Sequence, residues 1–166
     1  MVIDKILEQG NLTLKTGKGE FLFSEFSLQE VPLCLIKPLT FMNLSGIAIS
    51  EAKKYFGVDN NNMLVVLDDI NISFGSIRLR KSGSDGGHKG LASVIYHLST
   101  EDFPRLRLGI GSPKSDLPLS EYVLLNFNKE EKEHLQDITE NSVACVKIWA
   151  TDGIETAMNQ TNKKNL

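Results

Sequence analysis

The sequence predicts an α/β fold, one globular domain with a twisted, mixed and mostly parallel β-sheet packed between helices. Three observations carry this. The apolar run MLVVL ends in two acids, Asp68 and Asp69, as a strand buried on both faces does. Strand-like runs then alternate with stretches of helical spacing. Finally, 166 residues, 41% apolar and 23% charged, suffice for one core, and no repeat, linker or low-complexity block divides them.

Val2, Ile3, Ile6 and Leu7 share one helical face that stops at Gly10, with no capping residue in front. NLTLKT, EFLFSEFSL and VPLCLIKP alternate and are rich in β-branched and aromatic residues. They predict three strands, with turns at Gly17 to Gly19 and near Pro32, closed by Pro38. In NLSGIAISEAKKYFGV, Leu44, Ile47, Ala48, Ala52 and Phe56 fall near helical spacing, and Gly57 is a stop signal. After MLVVLDD, SIRLRK reads as a strand, HKGLASVIYHLS as a short helix, and RLRLGIG as a strand entering the turn GSPKSDLP. The C-terminal stretch has its acids first and Leu135, Ile138, Cys145, Val146 and Trp149 on one side. This predicts an amphipathic helix, interrupted near Gly153 and followed by a frayed polar tail.

The net charge of -3 argues against a uniformly basic nucleic-acid coat but allows a local patch. Arg78 to Lys89 supplies one, with four cations against the single anion Asp85. Cys34 and Cys145 lie in apolar surroundings without CxxC spacing, reading as buried, reduced thiols of a cytosolic protein. No apolar run is long enough to span a bilayer, and MVIDKILEQG lacks the pattern of a signal peptide. The expectation is a cytoplasmic protein without a membrane partner.

GSDGGHKG, residues 83–90, follows the cations of SIRLRK. Its four glycines permit positive φ and close backbone approach to an anion. It fits neither the Walker pattern nor the dinucleotide fingerprint, which disfavours a nucleotide-binding protein. An ordinary loop joining a strand to a helix explains the glycines equally well. Asp68 and Asp69 either begin a turn or supply a carboxylate that orients a histidine, binds a cation or acts as a base. Of three histidines, His88 between glycines and Lys89 is the accessible candidate. His97 ends an apolar helix and His134 sits among surface charges. No cluster has metal-ligand spacing, and no serine sits in a GxSxG elbow.

PLTFMNLSG, VVLDDINI, GSDGGHKGL, FPRLRLGIG and WATDGIETAMN occur in this order from Pro38 to Asn159. Together they resemble the bacterial peptidyl-tRNA hydrolase family over nearly the whole chain. The resemblance implies hydrolysis of the ester joining a peptide to tRNA, with no cofactor, by a monomer that recognises the acceptor stem and 3′ end. It also implies roles. Asp68 matches the aspartate that orients the histidine base, and Asn43 the asparagine that positions substrate at the scissile ester. Phe41 matches a tRNA-facing aromatic, suited to stacking on the terminal adenosine. His88 matches a histidine at the mouth of the site, a substrate contact rather than the base. Arg78, Arg80 and Arg107 match cations suited to phosphate, and Lys89 stands where the family usually has asparagine.

The family's opening strand, GLGNPG-like turn and TRHNxG-like motif are not among these residues, and Met1 aligns just after them. The expectation is therefore a chain read from an internal methionine, truncated at the N-terminus, without the catalytic histidine and poorly active. The uncapped start at Val2 points the same way. The alternative is a catalytically inactive RNA-binding relative that keeps the basic groove.

Overall fold

The computed structural model describes residues 1–113 and 116–163. β1 (Lys15–Thr16), β2 (Phe21–Leu28) and β3 (Val31–Pro38) form an antiparallel sheet in that order. Gln29 and Glu30, at φ 48° and 68°, make the β2–β3 turn, just ahead of Pro32. A second sheet contains β4 (Val65–Asp69), β5 (Ile77–Arg80) and β6 (Arg105–Gly109) in the order β4-β6-β5.

The α/β class is as predicted, and the second sheet is mixed. The strands nevertheless divide into two sheets, and of the four pairings among the described residues only β4 with β6 is parallel. Connection length explains this. A parallel neighbour needs a long crossover, which the path through β5 and α3 (Lys89–Leu98) supplies between β4 and β6. The short connections between β1, β2 and β3 allow antiparallel hairpins instead.

Helices cover both sheets. α1 (Val2–Gly10) packs Val2 and Ile6 against Leu35 and Val143. α2 (Ser45–Phe56) sets Ala48 and Ala52 on Phe21 and Phe23 and ends at Gly57, φ 64°. α3 sets Leu91 and Val94 on Leu67 and Phe103. α4 (Leu119–Tyr122), which the sequence pattern did not indicate, is tied back where Tyr122 Oη donates to the Ile110 carbonyl at 2.8 Å. α5 (Lys129–Lys163) is interrupted at Gly153 (φ 82°, ψ 172°), as predicted, and buries Ile138, Cys145 and Ala157 against Ile77, Leu79 and Leu106. Leu79 and Leu106 are fully buried, each worth roughly 2 kcal/mol of transfer free energy.

Three sequence expectations change here. The start of α1 is held after all, because the Met1 ammonium donates to Asp4 Oδ2 at 2.6 Å and Lys37 Nζ to Asp4 Oδ1 at 2.7 Å. Cys34 is only half-buried, whereas Cys145 is buried, and both are free thiols. The tail is helical rather than frayed up to Lys163, while residues 164–166, and residues 114–115 of the turn GSPKSDLP, lie outside the described residues.

Between the two sheets runs a cleft of about 1600 Å³. Residues 33–36 of β3 and 65–68 of β4 line it without a gap. Side chains of a strand alternate between faces, so consecutive lining residues mean that the hydrogen-bonding edge itself borders the cleft. Each of these strands is paired on one side only.

Candidate active site and nucleic-acid interface

The parallel strand β4 delivers two carboxylates at its carboxyl end, the usual location of sites in α/β sheets. Strand alternation turns them apart. Asp68 is part-exposed, lines the cleft and stands 3.7 Å from His88 Nε2. Asp69 is 5% exposed, accepts Arg107 Nε–H at 2.6 Å on Oδ2 and the Asn71 N–H at 2.8 Å on Oδ1.

His88 caps α3. Its Nδ1 accepts the Leu91 N–H at 2.9 Å, which leaves Nε2 as the proton-bearing nitrogen on the side of Asp68. That Nε2–H is the main influence holding the Asp68 carboxyl below the usual carboxylate range, against the opposing effect of burial. At 3.7 Å the contact is electrostatic rather than a full hydrogen bond. Chemically, Asp68 is an ionised acceptor, and His88 has no spare lone pair with which to take a proton. His97 is engaged with the Ser93 carbonyl at 2.9 Å, and His134 is on the exposed side of α5.

Phe41 and Asn43 lie in and just before a 3-10 turn, Met42–Leu44, at the start of α2. Two glycines bring that turn to the His88 cap. A Cβ on Gly90 would meet Met42 Sδ, and one on Gly46 would collide with the Ser93 carbonyl, so α2 and α3 cross closely. The crossing is locked where the Gly46 N–H donates to Ser93 Oγ at 3.0 Å. Phe41 is 82% exposed and Asn43 is also exposed, so both face solvent beside the site.

The antiparallel register sets Arg78 opposite Arg107 and Arg80 opposite Arg105. Paired residues share a face, so four arginines lie together, opposite the Ile77, Leu79 and Leu106 face that meets α5. Like charges in register repel, and two of the four are held by other partners: Arg107 by Asp69, Arg105 by backbone carbonyls. Arg78 is exposed, Arg80 half-buried and Lys89 exposed. Sequence reasoning offered Asp69 without its partner Arg107, and it missed Arg105. The repeated pattern Arg-Leu-Arg in both strands was the available signal, since alternate positions must share a face.

No group of three or more His, Cys, Asp or Glu among the described residues could hold a metal ion. No described helix is long and apolar enough to cross a membrane.

Comparison with known proteins follows the same lines. The family model described as peptidyl-tRNA hydrolase matches residues 1–166. The peptidyl-tRNA hydrolase of Alkaliphilus metalliredigens is 40% identical over 161 residues, covering 97% of this chain and 86% of that one. The peptidyl-tRNA hydrolase of Bacillus subtilis is 37% identical over 164 residues, covering 99% and 87%. A crystal structure of peptidyl-tRNA hydrolase from Acinetobacter baumannii matches with a TM-score of 0.90 at 28% identity, over 97% of this chain and 82% of that one.

Proposed function

The chain belongs to the peptidyl-tRNA hydrolase family, and from that premise we propose how its residues divide the work. A water attacks the ester carbonyl between peptide and tRNA, with a histidine removing its proton and Asp68 orienting that histidine. The placement of Asp68 at the carboxyl end of β4, part-exposed, lining the cleft and 3.7 Å from His88 Nε2, is the observation that carries the reading. Such a carboxylate accepts an imidazole N–H and favours the imidazolium that forms as the proton moves.

Asn43 offers an amide N–H to the developing oxyanion and its carbonyl to the peptide or water. Phe41 stacks on the terminal adenosine. Arg78, Arg80, Arg107 and Lys89 hold acceptor-stem phosphates, and lysine does so as a point charge where asparagine would add a paired donor and acceptor. His88 is a substrate contact. It is not the base, because its Nδ1 lone pair belongs to the Leu91 N–H. We propose that the chain acts in the cytoplasm as a monomer.

With the Nδ1 lone pair of His88 held by the Leu91 N–H, His97 engaged with the Ser93 carbonyl and His134 on the exposed side of α5, the 166 residues by themselves turn over slowly. Release of tRNA from peptidyl-tRNA is expected at least about a hundredfold below that of the relatives, the scale of a missing general base. Turnover equal to theirs would remove this account of the base. The same features favour a second reading, an RNA-binding protein that does not hydrolyse. Binding of peptidyl-tRNA with no release at any enzyme concentration selects it, and slow first-order release selects the hydrolase.

A further inference from the structure

Arg105 is 2% exposed, and no carboxylate among the described residues forms an ion pair with it. A buried cation without a counter-ion is costly, so its hydrogen bonds need explaining. Nη2 donates to the Glu101 carbonyl at 2.6 Å, Nε to the Phe103 carbonyl at 3.3 Å, and Nη1 to the carbonyl of Gly83, with Ser84 O at 3.5 Å. The guanidinium also lies 4.2 Å from the centroid of the Phe103 ring. It therefore joins the segment before β6 to the first turn of the glycine-rich loop, and the Gly83 N–H strengthens the join by donating to Glu101 O at 3.3 Å.

The direction of these bonds has a consequence. In a trans peptide the carbonyl and the following N–H point opposite ways. Arg105 draws the Gly83 and Ser84 carbonyls inward, so the N–H groups of Ser84 and Asp85 point away from it. Neither N–H has a partner among the described residues. The Asp85 carboxylate, which could repel an anion there, is folded onto the loop by the Gly87 N–H at 2.7 Å. The Arg107 guanidinium borders the same loop, its Nη2 being 3.8 Å from where a Cβ on Gly86 would stand.

We propose that Arg105 is a positioning residue for substrate phosphate: by holding the Gly83 and Ser84 carbonyls inward it presents the Ser84 and Asp85 N–H groups, beside Arg107, as donors to a phosphate group. The inference rests on the tRNA-binding reading above and adds the backbone donors and the buried group that aims them. Two open N–H groups over a buried positive charge, next to a guanidinium held by its own carboxylate, form a receiver for one phosphate.

Titration of ¹⁵N-labelled wild-type protein, first with inorganic phosphate and then with a tRNA acceptor minihelix, tests it. The Ser84 and Asp85 amide resonances should shift downfield with both. A bound minihelix that leaves them unmoved overturns the inference. If no minihelix binds, the tRNA reading fails, and the phosphate titration still decides the site: unmoved amides reject it. Arg105→Met should weaken minihelix binding by about tenfold, the loss of one charge-assisted contact, and abolish the two shifts. Arg105→Lys, which keeps the charge and one donor, should recover part of both. Wild-type affinity in a folded Arg105→Met protein would also overturn the proposal. Should that variant not fold, the wild-type titration decides alone.

Discussion

Two regions meet at the end of β4 and are built differently. On the side of Asp69, the buried charged groups are fastened: Asp69 to Arg107 and Asn71, Arg105 to two segments of backbone. On the side of Asp68, contacts are long or absent. Asp68 meets His88 only at 3.7 Å, Asn43 and Phe41 face solvent, and the cleft lies alongside. The difference teaches how one strand end can serve two purposes. Groups that shape a field must be immobilised, and groups that must exchange partners with substrate must keep unsaturated valences.

The largest effect should come from breaking the fastened side. Asp69→Ala leaves the Arg107 guanidinium part-buried and unpaired, a loss of about 3 kcal/mol, seen as a lowered midpoint of chemical denaturation. The open side should tolerate the parallel change: Asp68→Asn should shift stability by no more than about 0.5 kcal/mol. Equal losses in the two variants would erase the contrast. Next in size, replacing Arg78 and Arg80 together by alanine should weaken tRNA binding and lower the slope of log affinity against log salt by roughly 1 to 2. An unchanged slope would mean that this face does not meet phosphate.

The smallest effect concerns pH. Asp4 is lowered from its ordinary 3.8 to about 2, first by the hydrogen bond from Lys37 and then by that from the Met1 ammonium. A group whose pKa is depressed on folding stabilises fully above its unfolded value and loses that contribution as pH falls through the folded one. The docking of α1 on β3 should therefore weaken between about pH 4 and 2, with little change above pH 5. Asp4→Asn should remove that acid-side dependence, and a persisting one would locate it elsewhere.

Much of this architecture was legible in local pattern. The face of α1, the stop at Gly57 and the break at Gly153 follow from helical spacing and glycine, and β4 from its apolar run. What was hidden is non-local. The register that aligns Arg78 with Arg107 is a tertiary fact, and Arg105 reads as a surface cation until its carbonyl partners are known. The β2–β3 turn near Pro32 was expected, but its conformation was not, because Gln29 and Glu30 adopt positive φ without the usual Asn or Gly. Likewise Asp68 and Asp69 both stood out as carboxylates after an apolar run, whereas the pairing of Asp69 with Arg107, 38 residues further on, follows only from the register of β6 with β4.

The cleft has a dynamic consequence. Interior strands ordinarily hold their amide protons longest, because opening them requires the whole core to part. Here β3 and β4, which flank the cleft, are each paired on one side only among the described residues and turn one row of backbone groups toward it. Hydrogen exchange should therefore follow pairing: β2 and β6, paired on both sides, are the slow core, while the cleft-facing amides of β3 and β4 exchange early. The kinetic centre of this protein is thus divided into two halves, one in each sheet.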